Sequence, residues 1–340
     1  MSTFVPDCPF PIGNTPLTRL YLPLNGLTHE ICLKEERFNA FGSIKDRVAW
    51  YILSRSLPGT GTVGGIIDAS SGNYGYALAC IGRDLGLPVT IVTSASISGY
   101  NASGIRKAGA TLVMTEPEPG ESSNHARMRV AGEIAAREGR LFLDQYRNPL
   151  NPECHQRWTA PELMRDGPFD ACFMAASSGG TARGFMDYLA SEGDETTLVL
   201  VEPDASCAFV APPAAHDGKL TIPGYGSGRR STFSGGVAAP DIVRVHDADV
   251  LSAATDLAAR GFARIGLSST GVLLGTIRWL GAAKRPMRVA CICADGAERY
   301  DDEMASRYLP AHENARLRAS SGTVLEELAG LTRPDNRRPL

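Results

Sequence analysis

The chain has 340 residues, of which 43% are hydrophobic and 21% charged, and 34 Lys and Arg residues nearly balance 37 Asp and Glu residues for a net charge of −3. A single core usually holds about 100 to 200 residues, so the length predicts two domains. The composition excludes an intrinsically disordered chain and a collagen-like fibre, and the weak net charge argues against a protein that coats nucleic acid.

Short β-rich apolar runs alternate with longer amphipathic runs, which predicts parallel sheets covered by helices on both faces. The predicted strands of a first series are 65–69, 88–92 and 111–114, and those of a second series are 170–175, 197–201 and 287–293. Helices are predicted at 74–85, around 104–108 and at 182–189. The predicted fold class is α/β, with two three-layer α/β/α domains whose sheets are mostly parallel.

A proline-punctuated crossing at 148–152 separates the two series and marks the predicted domain boundary. We expect residues 1–40 to pack on the large domain, residues 41–150 to form a small mobile domain, and residues 151–340 to form the large domain. The stretch 206–237 is rich in Gly, Pro and Ser and has no clean period, which is typical of a functional or mobile loop.

No run approaches the roughly 18 apolar residues that a membrane span needs, and residues 1–13 lack the basic start and apolar core of a signal peptide. We therefore expect a cytoplasmic protein with no membrane and no nucleic-acid partner. The eight cysteines are scattered, apart from Cys291 and Cys293. Zinc sites use differently spaced pairs with further ligands, so we expect reduced, packed thiols and no metal site.

Two short motifs rich in glycine and hydroxyl groups each join a predicted strand to a predicted helix. They are Ser70-Ser71-Gly72-Asn73 and Ser177-Ser178-Gly179-Gly180-Thr181. At a helix N-terminus, free N–H groups and the positive end of the helix dipole favour an anion. The first motif suits a carboxylate, and the paired glycines of the second let the backbone approach a phosphate. The alternatives are an N-cap without a ligand and a plain glycine-rich turn.

Lys45 stands at the start of another predicted helix, 46–54, within Gly42-Ser43-Ile44-Lys45-Asp46-Arg47. The helix dipole and the loss of water disfavour a charge there, which lowers the pKa of the lysine toward that of a usable nucleophile. A lone lysine in such a place is usually a solvated surface residue. Together with a carboxylate cradle and a phosphate cradle, however, it completes the set that pyridoxal 5′-phosphate requires.

The order of these motifs resembles that of the cysteine synthase and cystathionine β-synthase family of fold type II pyridoxal phosphate enzymes. The match runs from about Gly13 to Tyr300 and has five motifs: Ile-Gly-Asn-Thr-Pro-Leu at 12–17, Gly-Ser-Ile-Lys-Asp-Arg at 42–47, Ser-Ser-Gly-Asn at 70–73, Asn-Pro-Leu-Asn-Pro at 148–152 and Ser-Ser-Gly-Gly-Thr at 177–181. The resemblance implies a fold like that of the tryptophan synthase β subunit, in which the small domain closes on the substrate and the large domain binds the cofactor.

The resemblance also implies roles for individual residues. Lys45 is expected to form the Schiff base with pyridoxal 5′-phosphate and then to move the α-proton as general base. Asn73 is expected to hydrogen-bond the 3′-oxygen of the cofactor. The 5′-phosphate is expected to contact Ser177, Ser178, Gly179, Gly180 and Thr181. The substrate is expected to contact Ser70, Ser71, Gly72, Asn73 and Gln145 through its carboxylate, with the segment Gly224-Tyr225-Gly226, and so Gly226, beside the amino-acid site.

One departure from the family pattern concerns the pyridine nitrogen. Gly296 stands where family members commonly carry a serine that faces this nitrogen. Asp295, a water molecule, or the hydroxyl of Ser269 or Thr270 is expected to take its place, so Asp295 and Gly296 are both predicted to border the cofactor. A carboxylate keeps the nitrogen protonated and deepens the electron sink, whereas a hydroxyl leaves it neutral. The sequence leaves this choice open.

A second departure concerns the substrate. Arg229 and Arg230 follow a glycine-rich turn where ordinary cysteine synthases tend to be apolar. Guanidinium groups bind phosphate or carboxylate in a two-pronged fashion, so Arg229 is a predicted substrate residue unless the pair is simply solvated. Tyr146, and Arg129 on a predicted helix, are further predicted substrate contacts. The pattern resembles the O-phosphoserine-using synthases that make N-(2-amino-2-carboxyethyl)-L-glutamate and related 2,3-diaminopropionate precursors of siderophores and antibiotics.

The predicted reaction is a β-replacement on an activated L-serine, with O-phosphoserine favoured, through an aminoacrylate intermediate and with an amine as nucleophile. The alternatives are a cysteine synthase that uses O-acetylserine and sulfide, a threonine or serine dehydratase, and a catalytically silent binding protein on the same scaffold. Nothing in the sequence identifies the nucleophile. We expect small-molecule amino-acid substrates and, as in the family generally, a homodimer.

Overall fold

The computed structural model describes residues 7–57, 63–212, 220–236, 239–262, 264–311 and 315–333. The strands are β1 (Leu17–Leu24), β2 (Leu27–Glu35), β3 (Ile66–Ala69), β4 (Val89–Thr93), β5 (Thr111–Met114), β6 (Leu141–Phe142), β7 (Ala171–Ala175), β8 (Thr197–Glu202), β9 (Asp241–Arg244) and β10 (Arg288–Cys293). The helices are α1 (Lys45–Ser56), α2 (Asn73–Asp84), α3 (Gly99–Lys107), α4 (Ser123–Glu138), α5 (Leu150–Cys154), α6 (Ala160–Met164), α7 (Gly180–Glu192), α8 (Asp247–Ala259), α9 (Leu267–Leu280), α10 (Asp301–Glu303), α11 (Leu309–Ala311) and α12 (Ala315–Ala329). Short 3₁₀ turns occur at Glu36–Phe38 and Ala297–Arg299, and π-helical turns at His155–Thr159 and Met304–Tyr308.

The smaller of two sheets has the strand order β5-β4-β3-β6 and is parallel throughout. Successive residues of a strand point to opposite faces of a sheet. Ile66 accordingly lies in an apolar cluster with side chains of α1, α2 and α3, whereas Ile67 packs against α4. This sheet is the middle layer of a three-layer unit.

The larger sheet has the order β1-β2-β10-β7-β8-β9. Only its first pair is antiparallel: β1 and β2 form a hairpin around Asn25 and Gly26, whose positive φ angles of 52° and 75° suit the tight turn. Along β10, Cys291 and Cys293 face one apolar cluster, and Ala290 and Ile292 face another on the opposite side. The two sheets confirm the predicted α/β class, and the N-terminal segment contributes two strands to the larger sheet itself.

The cysteines behave as packed thiols. All eight are free, and six of them are buried. Burial raises the pKa of the Cys291 thiol to about 12, which keeps it protonated near neutral pH. Across the described ranges, no group of three His, Cys, Asp or Glu side chains is placed to hold a metal ion. No helix in those ranges is long and apolar enough to cross a membrane.

The carboxyl ends of strands from both sheets open on one cleft, which is where open α/β sheets bind ligands. β3 ends at Ala69, β7 at Ala175 and β10 at Cys293, each just before a segment that the sequence marks as functional. The described parts of the predicted loop, 206–212 and 220–236, contain no helix or strand. Its remaining residues, 213–219 and 237, lie outside the described residues.

Candidate active site

A cavity of about 160 Å³ lies between the carboxyl ends of the two sheets. Most residues predicted to hold cofactor or substrate line it: Lys45, Ser70, Ser71, Gly72, Asn73, Gln145, Tyr146, Ser177, Ser178, Gly179, Thr181 and Asp295. It is also lined by Ser98, Asn101 and Tyr300, for which no role was predicted, by Ser268, and by Gly224 of the predicted substrate segment 224–226. The predicted site residues that lie outside its wall are Gly180, Gly226, Arg229, Arg129 and Gly296.

Lys45 is the first residue of α1, and its side chain is partly buried. Burial lowers the pKa of its ammonium group from 10.5 to about 8, and the nearby Cys154 and Asp295 only partly oppose this shift. The amine therefore has a usable neutral fraction near neutral pH, as a nucleophile or a general base requires.

Buried ion pairs fix the helix that carries Lys45. Arg47 is fully buried and donates from Nε to Glu36 Oε2 at 2.6 Å and from Nη1 to Glu162 Oε2 at 2.8 Å. Lys34 Nζ donates to Glu162 Oε1 at 2.6 Å. Burial alone raises the pKa of Glu162, but the hydrogen bond and charge of Arg47 and those of Lys34 outweigh it and hold the pKa at about 2. The network ties α1 to the end of β2 and to α6.

The carboxylate cradle lies at the N-terminus of α2, which begins at Asn73. Ser70 Oγ accepts the backbone N–H groups of Gly72 and Gly75 at 3.2 and 3.0 Å. Ser70 lies two residues before the N-cap, Gly72, so it stabilises the first turn of α2 without being its N-cap. The cradle combines that helix terminus with Ser71 on the cavity wall.

Gln145 is held beside this cradle by the end of β3. Its backbone N–H donates to Asp68 Oδ2 at 3.2 Å, and its Nε2 donates to the carbonyl of Ala69 at 3.0 Å. Asp68 is fully buried, and burial raises the pKa of its carboxyl to about 7 against the opposing hydrogen bond from the Ala69 N–H. Gln145 is therefore positioned by strand residues that also carry the cradle.

The phosphate cradle lies at the N-terminus of α7, which begins at Gly180. Gly179 has φ +88°, and a Cβ atom there would lie 2.2 Å from Ser231 Oγ, so the position requires glycine. A Cβ atom on Gly180 would lie 2.0 Å from Asn151 Oδ1. The backbone thus comes close to its neighbours just where the helix dipole favours an anion.

The segment 220–236 closes one side of the cavity. Ser231 Oγ donates to the carbonyl of Ser178 at 2.6 Å, and Thr232 Oγ1 donates to the carbonyl of Tyr146 at 2.5 Å. This segment therefore links the phosphate cradle to the loop that follows Gln145. The composition predicted a functional loop here, but it gave no indication of these two contacts.

Asp295 supplies a buried carboxyl group on the cavity wall. It is 1% exposed, and its Oδ2 accepts hydrogen bonds from Tyr300 Oη and Asn73 Nδ2, both at 2.6 Å. Its Oδ1 has no hydrogen-bond partner among the described residues. Burial raises the pKa of this carboxyl above its ordinary value. The unpartnered Oδ1 lies against the backbone of Gly266, where an added Cβ atom would be 1.8 Å away.

The structure corrects the prediction for the neighbouring glycine. Gly296 does not line the cavity and instead pairs through its backbone with Ile265. Of the hydroxyls predicted to replace the missing serine, that of Thr270 donates to a backbone carbonyl of the preceding turn at 3.1 Å, and Ser269 also lies outside the cavity wall. Ser268 lines the cavity instead. It lies in the first turn of α9, a helix start that could have marked it in the sequence.

Arg129, a predicted substrate contact, lies outside the cavity wall. Its guanidinium lies on the surface of α4, where it forms ion pairs with Glu118, Glu121 and Glu133. Arg127, two residues earlier, is 7% exposed, donates to Ser94 Oγ at 3.0 Å and has no partner for Nε among the described residues. The apolar residues of α4 at 131 and 134 lie on the same face of the helix as Arg127. This spacing is the sequence signal that could have indicated a buried arginine.

Arg229 lies one layer outside the cavity wall. Its guanidinium carbon is 4.9 Å from the ring centroid of Tyr146, which does line the cavity. Burial lowers the pKa of Arg229, Tyr146 opposes this, and the charges of Arg147 and Arg127 add to the lowering. Of the predicted segment Gly224-Tyr225-Gly226, Gly224 lines the cavity, whereas Gly226 packs against Pro203.

The model of the pyridoxal-phosphate dependent enzyme family matches residues 9–295 of the chain. The chain belongs to this family. It is 32% identical over 333 residues to the N-(2-amino-2-carboxyethyl)-L-glutamate synthase of Ralstonia nicotianae, which covers 94% of this chain and 95% of that protein. It is 31% identical over 298 residues to cysteine synthase B of Escherichia coli, covering 85% and 92%. The O-acetylserine dependent cystathionine beta-synthase from Helicobacter pylori has a TM-score of 0.76 at 25% identity, covering 86% and 95%.

These relatives confirm the predicted family, cofactor and enzyme class. The chain is a pyridoxal-phosphate-dependent enzyme of the cysteine synthase family, and it catalyses β-replacement on a serine derivative. The alternative of a catalytically silent binding protein therefore falls away.

The residues present fit pyridoxal 5′-phosphate. Lys45 would supply the amine for the covalent link, and the N-terminus of α7, with glycines where a Cβ atom would collide, suits the phosphate. Asp295 and Ser268 line the cavity and are the candidates to face the ring nitrogen. The chain thus provides a distinct group for each polar part of the cofactor.

Proposed function

We propose that this enzyme replaces the phosphate group of O-phosphoserine with an amine and so makes an amino acid of the 2,3-diaminopropionate type for secondary metabolism, such as a siderophore or antibiotic precursor. The similarity to an N-(2-amino-2-carboxyethyl)-L-glutamate synthase over nearly the whole chain supports this choice. A homodimer, which the family resemblance implies, and the cytoplasmic location expected from the sequence belong to the same proposal.

The observation that carries the proposal is a pair of arginines outside the cavity wall, one of them stacked on the cavity residue Tyr146. Arg229 stacks on Tyr146, and the buried Arg127 has an unused Nε and lies near enough to affect the pKa of Arg229. Two guanidinium groups favour a doubly charged phosphate ester over a neutral acetyl ester. Of the two donors, O-phosphoserine is therefore expected to interact more favourably with the two arginines.

The residues of this chain then divide the work. Pyridoxal 5′-phosphate, when bound, supplies the electron sink that lets a proton leave the α-carbon. Lys45 Nζ takes that proton, the bond between the β-carbon and oxygen breaks, and inorganic phosphate leaves with the bonding electrons. The amine forms the new bond to the β-carbon and loses a proton, and Lys45 returns a proton to the α-carbon. Gln145 and the first cradle hold the substrate carboxylate.

The proposal is tested by comparing O-phosphoserine and O-acetylserine as donors, with products from a panel of amines and sulfide identified by mass spectrometry. Arg229→Ala is expected to raise the KM for O-phosphoserine about 5- to 10-fold, because it removes a positive charge one layer behind the cavity wall that attracts the doubly charged ester through the protein interior. The KM for O-acetylserine is expected to stay within about threefold. Arg230→Ala, at the exposed neighbour, is the matched control.

A second matched pair lies on α4. Arg127→Met is expected to raise the KM for O-phosphoserine but not the KM for O-acetylserine. Arg129→Met is expected to leave both KM values unchanged, because Arg129 already pairs with surface glutamates. Preference for O-acetylserine with sulfide, and no effect of either Arg127 or Arg229, would instead support the cysteine synthase alternative. That alternative has its own support in the similarity to cysteine synthase B.

A further inference from the structure

A buried arginine outside the cavity contacts a cavity residue that the cofactor requires. Arg299 ends the 3₁₀ turn after β10, does not line the cavity and is 2% exposed. We propose that Arg299 is a positioning residue that fixes the carboxamide of Asn73, so that the Asn73 amino group rather than its oxygen is available to the cofactor. This role goes beyond the donor specificity proposed above and does not depend on it.

The geometry sets the orientation of Asn73 from both sides. Arg299 Nη1 donates to Asn73 Oδ1 at 3.0 Å, and Asn73 Nδ2 donates to Asp295 Oδ2 at 2.6 Å. Arginine has only donors, so it can face only the oxygen of a carboxamide. Asp295 Oδ2 already accepts from Tyr300, so it acts as an acceptor toward Asn73 as well. A flipped Asn73 would set donor against donor and acceptor against acceptor.

The chemical consequence lies at the second N–H of Asn73. One N–H of the amino group is used by Asp295, and the other stays available to an acceptor in the cavity that Asn73 lines. The anionic or carbonyl oxygens of a bound cofactor are such acceptors. Arg299 therefore acts on the cofactor through Asn73 and touches no reacting atom.

Arg299 is itself held firmly. Its Nη2 donates to the carbonyl of Phe41, four residues before Lys45, and its guanidinium carbon lies 5.1 Å from the ring centroids of both Tyr76 and Tyr100. A Cβ atom on Gly42 would lie 2.6 Å from Nη2, so the loop before Lys45 leaves room for the guanidinium. A lysine could not donate to Phe41 and Asn73 in the same fork geometry. One side chain thus joins the Lys45 loop, α2 and α3.

The test is a double-mutant cycle on cofactor affinity, measured by titrating each apoprotein with pyridoxal 5′-phosphate. In the chain with Asn73, Arg299→Gln is expected to raise the Kd for pyridoxal 5′-phosphate about 10-fold or more. The substitution removes the charge-assisted hydrogen bond that orients the Asn73 carboxamide. In the Asn73→Ala background the same change is expected to raise the Kd less than about threefold. The two substitutions are therefore expected to be strongly non-additive.

The control is Arg264→Gln, at an exposed arginine that pairs with Asp301 and faces no cofactor residue; its Kd is expected to equal that of the native chain. Equal effects of Arg299→Gln in both backgrounds, or no effect in either, would overturn the proposal. If the Arg299→Gln apoprotein lacks a cooperative unfolding transition, Tyr100→Leu replaces it. Removal of one ring is then expected to raise the Kd about threefold with Asn73 present and to have no effect in Asn73→Ala.

Discussion

Lys45 illustrates how local surroundings give an ordinary residue its chemistry. At the start of α1 it is partly buried beside Cys154 and Asp295, and burial is the larger influence on its pKa. The buried pairs of Arg47 hold that helix in place without neutralising the amine. The amine is therefore both positioned and partly deprotonated.

The acidity of Lys45 leads to a pH prediction. Its folded pKa of about 8 lies below the ordinary 10.5, so in the apoprotein the amine is protonated below about pH 8 and neutral above it. Competitive acetylation of the apoprotein across this range, followed by mass spectrometry, is expected to give a Lys45 reactivity that rises with pH and levels off above about 8 to 9. The exposed Lys107 is the internal reference. A Lys45 curve that keeps rising through about pH 10 would contradict the assignment.

At this scale the sequence predicted residue types better than individual positions. Lys45, Asn73 and the two cradles lie where the motifs placed them, because a helix start fixes its neighbours locally. Arg127 and Arg129 differ in which side of α4 they occupy, and the predicted substrate contact was the exposed one, Arg129. Which of three adjacent hydroxyls after Gly266 meets the cavity depends on how α9 packs, and this is a tertiary property.

Two helix N-termini, those of α2 and α7, account for the anion-binding ability of the site. Each follows a strand whose carboxyl end lies at the cleft, so both cradles result from the same strand-to-helix geometry. At the N-terminus of α7 the backbone lies closest to its surroundings, because neighbouring side chains pack directly against two successive glycines. The affinity for the phosphate group should therefore depend on the shape of this terminus as much as on its charge.

A pair of glycines at the two ends of α7 tests this point. Gly179→Ala places a Cβ atom 2.2 Å from Ser231 Oγ, and Ser231 in turn supports Ser178 in the phosphate cradle. We expect the Kd for pyridoxal 5′-phosphate to rise about 10-fold or more, together with a loss of roughly 1 kcal/mol or more of unfolding free energy. Equilibrium titration and denaturant unfolding measure the two effects.

Gly193→Ala is the matched control. Gly193 ends the same helix with φ +63°, and a Cβ atom there would meet nothing within 4 Å. It should cost about 1 kcal/mol in stability through backbone strain alone, with the cofactor Kd unchanged. Equal Kd values for the two variants would show that crowding at Gly179 has no role in binding.

The strand β2 shows why a local pattern can miss a strand. Its hairpin with β1 carries the Asn25-Gly26 turn signal, but β2 ends in Lys34 and Glu35, which resemble a solvated terminus. In the fold both are buried: Lys34 pairs with Glu162, which is far away in the chain, and Glu35 with its neighbour Arg37. The burial of these charges depends on the folded structure, so the residues around them did not reveal it.

At the scale of the whole molecule, the active site belongs to neither sheet alone. The carboxylate cradle follows a strand of the smaller sheet, the phosphate cradle and Asp295 follow strands of the larger one, and segment 220–236 bridges them. The alternation of strands and helices predicted most of the parallel strands of both sheets, because each βα unit is local. Contacts between residues far apart in the sequence could not be predicted in this way. Arg299 and Asn73, for example, are 226 positions apart and meet only in the folded structure.

The central claim is that Lys45 carries the cofactor in the cavity between the two sheets. Borohydride reduction of the holoenzyme, followed by peptide mapping, tests it most directly. We predict a single added pyridoxyl phosphate group on the peptide that contains Lys45, and none after the same treatment of Lys45→Ala. A label on another lysine, such as Lys34 or Lys107, or a native enzyme with no label at all, would contradict the account.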